Sequence, residues 1–177
     1  MPRPPDSVPA KAWVVESVRP RAVGRGRSCT GVATRTLIDT NILVYRYDAR
    51  FPNKQSIAED VLRDGIASGS ARLAHQALVE FVAAVTRGGP ESWLLEPSEA
   101  RREAEELMAQ FPVIYPDDAV LRTALRGAAA YGLSWFDAHM WAYAEVHGLE
   151  ELVSEDLQHG RLYGTVTANN PFASTAD

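Results

Sequence analysis

Cysteine is almost missing from this chain: Cys29 is the only one in 177 residues. A disulfide framework is thereby excluded, and no Cys/His spacing fits a zinc site. Lysine is nearly as scarce, with Lys11 and Lys54 and none beyond. No apolar run approaches the roughly 18 residues that a membrane span needs. The N-terminus bears arginine but lacks the apolar h-region of a secretory signal. The expectation is a soluble, cytoplasmic protein without a membrane partner. Positive charge is short as well. The net charge of −5 divides into +4 over residues 1–34 (six basic, two acidic) and −9 over residues 35–177 (twelve basic, twenty-one acidic). So acidic a body argues against a broad electrostatic grip on nucleic acid. It suits a site that gathers carboxylates around a metal, and equally a basic partner.

What is present has the length and composition of one ordinary globular domain. Residues 1–34 carry several prolines and the run Gly24-Arg25-Gly26-Arg27-Ser28, with little periodicity. They read as a disordered extension, or as an untranslated stretch if a valine codon near Val32 is the true start. The domain then occupies 35–172, with 173–177 as a tail. Strands are expected at 35–39, 72–74, 113–115 and 151–154, with a fifth, edge strand at 163–167. Helices are expected at 41–47, 53–68, 76–87, 98–110 (Ser98 as N-cap), from Asp117 or Asp118 to 131, and from Ser134 to His147. Strands alternating with helices of this length predict an α/β fold with a parallel sheet covered on both faces.

The sequence is organised around Thr36-Leu37-Ile38-Asp39-Thr40-Asn41, where a buried strand stops on an acid. The ends of such strands are where open α/β sheets place their chemistry. Three further acids stand out. Glu80 is the only charge in Ala77–Val85, and an isolated buried carboxylate is costly unless paired or metal-bound. Asp137 lies three residues after Ser134 among Trp135, Phe136, Met140 and Trp141. Asp156 follows the fourth strand as Asp39 follows the first. Each has a plain structural explanation: Asp39 as a helix N-cap, Glu80 on a solvated stripe, Asp137 in a capping box, and Asp156 capping a turn. Together they point further, because four converging carboxylates repel unless a cation holds them. All-oxygen ligation points to Mg²⁺ or Mn²⁺. Such ions polarise phosphoryl oxygens and acidify bound water, which suits phosphodiester hydrolysis. Thr40, Asn41 and Ser154 are the expected supporting hydrogen-bond partners. His75, His139, His147 and His159 are scattered, and read as surface residues or as supports behind a site.

The ordered set Leu37–Tyr45, Gln76 with Glu80-Phe81, Ser134–Ala138 and Ser154–Leu157 resembles the PIN-domain ribonucleases, most closely the VapC toxins of bacterial type II toxin–antitoxin pairs. The terminal Asn170-Pro171-Phe172 fits many of them. The resemblance implies a three-layer α/β/α domain with a central parallel five-stranded sheet in the order 3-2-1-4-5. It implies that Asp39, Glu80, Asp137 and Asp156 bind Mg²⁺ or Mn²⁺ and activate water to cleave single-stranded or loop RNA. It also implies a cognate antitoxin and a homodimer.

Arg46, Arg50, Lys54, Arg87 and Arg161 could contact phosphates, and Trp135 could stack on a base. Solvated arginines and a packed tryptophan are the plainer reading. Two other functions compete with this reading. An aspartyl-phosphate phosphatase needs an acid where Asn41 stands and a lysine after residue 54, which the chain lacks. A PIN-like binding module with a decayed site is not expected to retain all four acids.

Overall fold

Strand β1 (Thr36–Ile38) is buried at all three residues. Successive strand side chains point to opposite faces, so both faces of the sheet around β1 must be covered. The structure, a computed structural model, describes residues 34–173. The expectations for the N-terminal extension and the tail lie outside those residues, apart from Thr34 and Ala173. After β1 come α1 (Thr40–Tyr45), α2 (Pro52–Ser68), β2 (Ala71–Ala74), α3 (His75–Val85), α4 (Pro97–Gln110) and β3 (Val113–Ile114). Then follow α5 (Asp118–Tyr131), α6 (Trp135–Val146), β4 (Glu151–Val153), β5 (Leu162–Tyr163) and β6 (Val166–Asn169).

The sheet order is β3-β2-β1-β4-β6-β5. Every neighbouring pair is parallel except β5 with β6. The expected order is therefore present, with β6 in the fifth place, but the sheet has six strands. The chain around 163–167 is a hairpin: Gly164 adopts φ 61° at its tip, and the strand that joins β4 is Val166–Asn169. Strands of two residues carry too few side chains to show a period of two.

Parallel pairing brings the carboxyl ends of β1 and β4 side by side, Ile38 opposite Val153. Whatever follows those two strands must meet at one edge of the sheet. Helix α3 starts directly after β2, without a loop, so its residues are fixed relative to the same edge. Helices α5 and α6 interlock through Gly127, whose missing side chain is replaced by the Trp141 ring. A Cβ there would lie 2.2 Å from a Trp141 ring carbon. That packing, with the Trp141 indole donating to the Tyr163 carbonyl at 2.8 Å, seats α6 with its N-terminal turn fixed.

Helix ends follow local chemistry where glycine or aspartate supplies it. Gly69 and Gly132 stop α2 and α5 in the left-handed region at φ 64° and 66°, where glycine is unstrained. Asp117 caps α5, accepting from the Val120 N–H at 2.9 Å. Several ends differ from expectation, α1 among them, which stops at Tyr45 rather than Tyr47. Helix α4 is entered through Glu96 and Pro97, with Glu99 accepting from the Glu96 N–H, and Ser98 lies inside it. Helix α3 stops at Val85 rather than Arg87, because the Val85 carbonyl is claimed by the N–H groups of Leu94 and Leu95.

Candidate active site

The acid after β1 is both cap and buried charge. Asp39 Oδ1 accepts from the Thr40 N–H at 2.6 Å and so starts α1, yet only 6% of the residue is exposed. Its second oxygen, Oδ2, accepts from the Ser154 hydroxyl at 2.5 Å and from the Asn41 amide at 3.1 Å. Burial pushes the carboxyl up to about 7, against the pull of the Ser154 and Thr40 hydrogen bonds. The charges of Asp156 and Glu80 raise it further.

The Asn41 amide is the joint between two strand ends. Its nitrogen lies 3.1 Å from Asp39 Oδ2, 3.2 Å from Ser154 Oγ and 3.1 Å from Asp156 Oδ2. Ser154 Oγ also accepts from the Asp156 N–H at 3.1 Å. One amide and one hydroxyl thus hold Asp39 and Asp156 together against their mutual repulsion. Thr40, Asn41 and Ser154 each hydrogen-bond one or more of the four carboxylates.

Glu80 is half-buried, not enclosed as its apolar sequence neighbours suggested. The Thr40 hydroxyl donates to its Oε2 at 2.9 Å and the Gln76 amide to its Oε1 at 2.8 Å. Asp137 stands in the first turn of α6. Ser134 caps that helix: its hydroxyl accepts from the Asp137 N–H at 3.3 Å and donates to Asp137 Oδ2 at 2.7 Å.

Asp39, Glu80, Asp137 and Asp156 all line one cleft of about 580 Å³. They arrive from the end of β1, from α3, from α6 and from the turn after β4. Among the described residues no group of three or more acidic, His or Cys side chains forms a ready-made metal cluster. The set is open: its carboxylates are held by protein donors, and Asp39 Oδ1, both Glu80 oxygens, Asp137 Oδ2 and Asp156 Oδ2 each accept one of these hydrogen bonds and retain a second lone pair. In its chemistry, all oxygen and several negative charges against one side of a cleft, it fits a hard divalent cation.

The expected phosphate contacts divide. Arg50 and Arg87 line the cleft. The buried Asp48 takes the Arg50 guanidinium through both oxygens, at 2.7 and 2.6 Å, which holds the Asp48 carboxyl below its usual range. Arg46 lies 5.2 Å from the Tyr47 ring and Arg161 4.6 Å from the Tyr163 ring. Lys54 bonds the Tyr45 hydroxyl at 2.8 Å and pairs closely with Glu155, with its ammonium 4.4 Å from the Tyr45 ring. Burial opposes its charge, but the bonds to Glu155 and Tyr45 outweigh burial and raise its pKa. Tyr45 in turn donates to Glu155 at 2.5 Å. This clamp fastens α1 and α2 to the turn carrying Asp156. The sequence did not disclose it, since Glu155 lies 101 residues from Lys54 and 110 from Tyr45 with no pattern linking them. Trp135 packs on His139 instead of facing the cleft alone, with ring centroids 5.8 Å apart and planes 20° from parallel. The aromatic rings in the cleft wall are Tyr45, Phe51 and Phe136, the last 63% exposed. For Phe136 its place beside Asp137 was the available signal.

Among curated proteins, no sequence matches this chain. Solved structures do resemble it. A toxin–antitoxin complex from Klebsiella pneumoniae aligns with TM-score 0.56 and 17% identity over 77% of this chain and 97% of that one. The DNA-bound VapBC of Salmonella typhimurium aligns with TM-score 0.58 and 14% identity, over 78% and 98%. FitAcB of Neisseria gonorrhoeae aligns with TM-score 0.52 and 16% identity, over 78% and 99%. At such identities the likeness is one of fold. The sequence model of the PIN domain matches residues 36–164, well over half of the chain. The chain belongs to the PIN-domain family.

Proposed function

We propose that this protein is a divalent-metal-dependent endoribonuclease and the toxin of a VapBC-type pair. The observation that carries the reading is the convergence of Asp39, Glu80, Asp137 and Asp156 on one cleft. They come from elements far apart in sequence, and polar side chains hold them there. PIN domains are generally nucleases, and the fold is shared with the VapBC and other toxin–antitoxin structures above.

The four acids would hold Mg²⁺ or Mn²⁺. A bound divalent ion supplies charge neutralisation, polarisation of a phosphoryl oxygen and acidification of water. The chain's own residues orient and charge the site. Ser154 and the Thr40 N–H favour the ionised Asp39 against its burial. Asn41 keeps Asp156 beside Asp39, and Ser134 fixes the rotamer of Asp137. Arg50 and Arg87 bring positive charge to the wall of an otherwise acidic cleft, where they would meet flanking phosphates. The proposed partners are RNA, a cognate antitoxin and a second copy of the chain. Among the described residues no helix is long and apolar enough to cross a membrane.

The test is cleavage of a single-stranded RNA by the purified chain with Mn²⁺, with chelator, and in the Asp39→Asn variant. Metal-dependent cleavage, lost on chelation and in the variant, is expected. Cleavage that survives chelation, or that Asp39→Asn leaves at the parent rate, would overturn the reading. For the toxin role, production of the parent without its partner should arrest growth, and production of Asp39→Asn should not. Normal growth with well-expressed parent would remove the toxin assignment and leave the nuclease one.

A further inference from the structure

Glutamate has one more rotatable bond than aspartate, so of the four acids Glu80 has the most conformational freedom to lose before it can act as a ligand. Both of its oxygens are nevertheless held, Oε2 by the Thr40 hydroxyl at 2.9 Å and Oε1 by the Gln76 amide at 2.8 Å. An amide can present either end. Something must choose.

We infer that His139, acting through Gln76, is a positioning residue for Glu80: its imidazole fixes the Gln76 amide in the one orientation that offers an NH₂ group to the Glu80 carboxylate. The inference rests on the metal-dependent nuclease reading above. Gln76 Nε2 faces two acceptors, Glu80 Oε1 and the Phe136 carbonyl at 3.3 Å. A reversed amide would set its oxygen against both, so only the orientation with Nε2 toward Glu80 serves the site. The amide oxygen, Oε1, meets His139 Nδ1 in a close hydrogen bond. An amide oxygen cannot donate, so Nδ1 must carry the proton. In its neutral form His139 is then the Nδ1–H tautomer, selected by its partner.

The imidazole is held where it can do this. Trp135, one turn earlier on α6, stacks on it, and the Tyr143 ring meets it edge-on, 5.3 Å between centroids and 72° between planes. The contact with Gln76 spans 63 residues of sequence. Because the Gln76 amide also bonds the Phe136 carbonyl, it ties α3, which carries Glu80, to the first turn of α6, which carries Asp137. The same relay therefore sets the separation of two of the four acids. Partners behind a metal ligand commonly govern affinity in this way.

The experiment measures Mn²⁺ affinity of the full chain by electron paramagnetic resonance, independent of turnover. His139→Leu is expected to weaken binding by about tenfold, the lower end of the range for such partners. His139→Asn, whose amide nitrogen falls near the position of Nδ1, is expected to recover most of the loss. A His139→Leu variant that binds as tightly as the parent overturns the inference, and so does His139→Asn no better than His139→Leu. A second measurement needs no variant: long-range proton–nitrogen correlation in the parent should show His139 protonated at Nδ1, and an Nε2–H tautomer overturns the inference. If the parent bound no Mn²⁺ and cut no RNA, the nuclease reading itself would fall and the positioning role with it. The tautomer result stays independent of that failure.

Discussion

Removing the charge from Asp39 should stabilise the folded chain, and the gain should depend on pH. In the folded state its carboxyl titrates at about 7, against 3.8 when free. A folded-state pKa raised in this way means that the folded chain binds more protons than the unfolded one between those values. Stability therefore falls as pH rises through that window, and the full penalty is present above about 7. At about 1.4 kcal/mol per pH unit, ionised Asp39 costs roughly 4 kcal/mol at pH 8 and roughly 2 kcal/mol at pH 5. Asparagine removes that penalty. Its carbonyl can still accept from the Thr40 N–H. The Ser154 hydroxyl, which already accepts from the Asn41 amide and the Asp156 N–H, loses its acceptor. The amide nitrogen of Asn41, 3.1 Å from Asp39 Oδ2, cannot turn without abandoning Asp156, and the two mismatches together cost about 2 kcal/mol.

The net gain for Asp39→Asn is then roughly 2 kcal/mol at pH 8, falling to about zero at pH 5. For a chain of this size it corresponds to a rise of about 4–8 °C in melting temperature at pH 8. Thermal melting followed by circular dichroism at both pH values measures it. A variant no more stable than the parent at pH 8, or an advantage that does not shrink toward pH 5, would refute the reasoning. Adding Mn²⁺ should raise the melting temperature of the parent more than that of the variant, because the ion binds only the folded state.

Three further outcomes are expected. Gly127→Ala should destabilise by about 2 kcal/mol, since its Cβ would sit 2.2 Å from the Trp141 ring and force α5 and α6 apart; an unchanged urea midpoint would contradict that. Ser134→Ala should cost about 1 kcal/mol through loss of the α6 cap, and should weaken Mn²⁺ binding by freeing Asp137, both read by titration and chemical denaturation. Lys54→Met should cost about 1 kcal/mol, since the pair with Glu155 is partly exposed; urea denaturation reads that loss, and lower Mn²⁺ affinity should accompany it because the turn bearing Asp156 loosens.

What the sequence disclosed and what it hid divide along a physical line. Gly69, Gly132 and Asp117 end or begin helices by local backbone chemistry, and these boundaries were legible. The end of α3 was not, because the Val85 carbonyl is satisfied by a loop returning nine and ten residues later, ahead of the Gly88-Gly89-Pro90 signal. The β5–β6 hairpin was read as one strand because its strands are too short to show alternation. The four acids could be read because strand ends and a lone charge in an apolar helix are unusual places for carboxylates. The Lys54–Tyr45–Glu155 clamp and the His139–Gln76 relay could not, since neither has a spacing that a sequence displays.

The plain explanations offered for the acids prove to be part of how the cleft is built. Capping Thr40 fixes the rotation of the Asp39 carboxylate, so that Oδ2 faces Asn41 and Ser154. Ser134 does the same for Asp137. The acids accordingly differ in how much order they have left to lose. Asp39 is buried and held at both oxygens, whereas Asp156 is exposed and held by Asn41 at one. A ligand already fixed in place loses little conformational freedom on binding, while a mobile one gives back part of its attraction. At pH 8, where protons no longer compete at Asp39, replacing Asp39 with asparagine should therefore weaken Mn²⁺ binding more than the same change at Asp156. Equal losses at the two positions would show that charge alone, and not preorganisation, sets the affinity of the cleft.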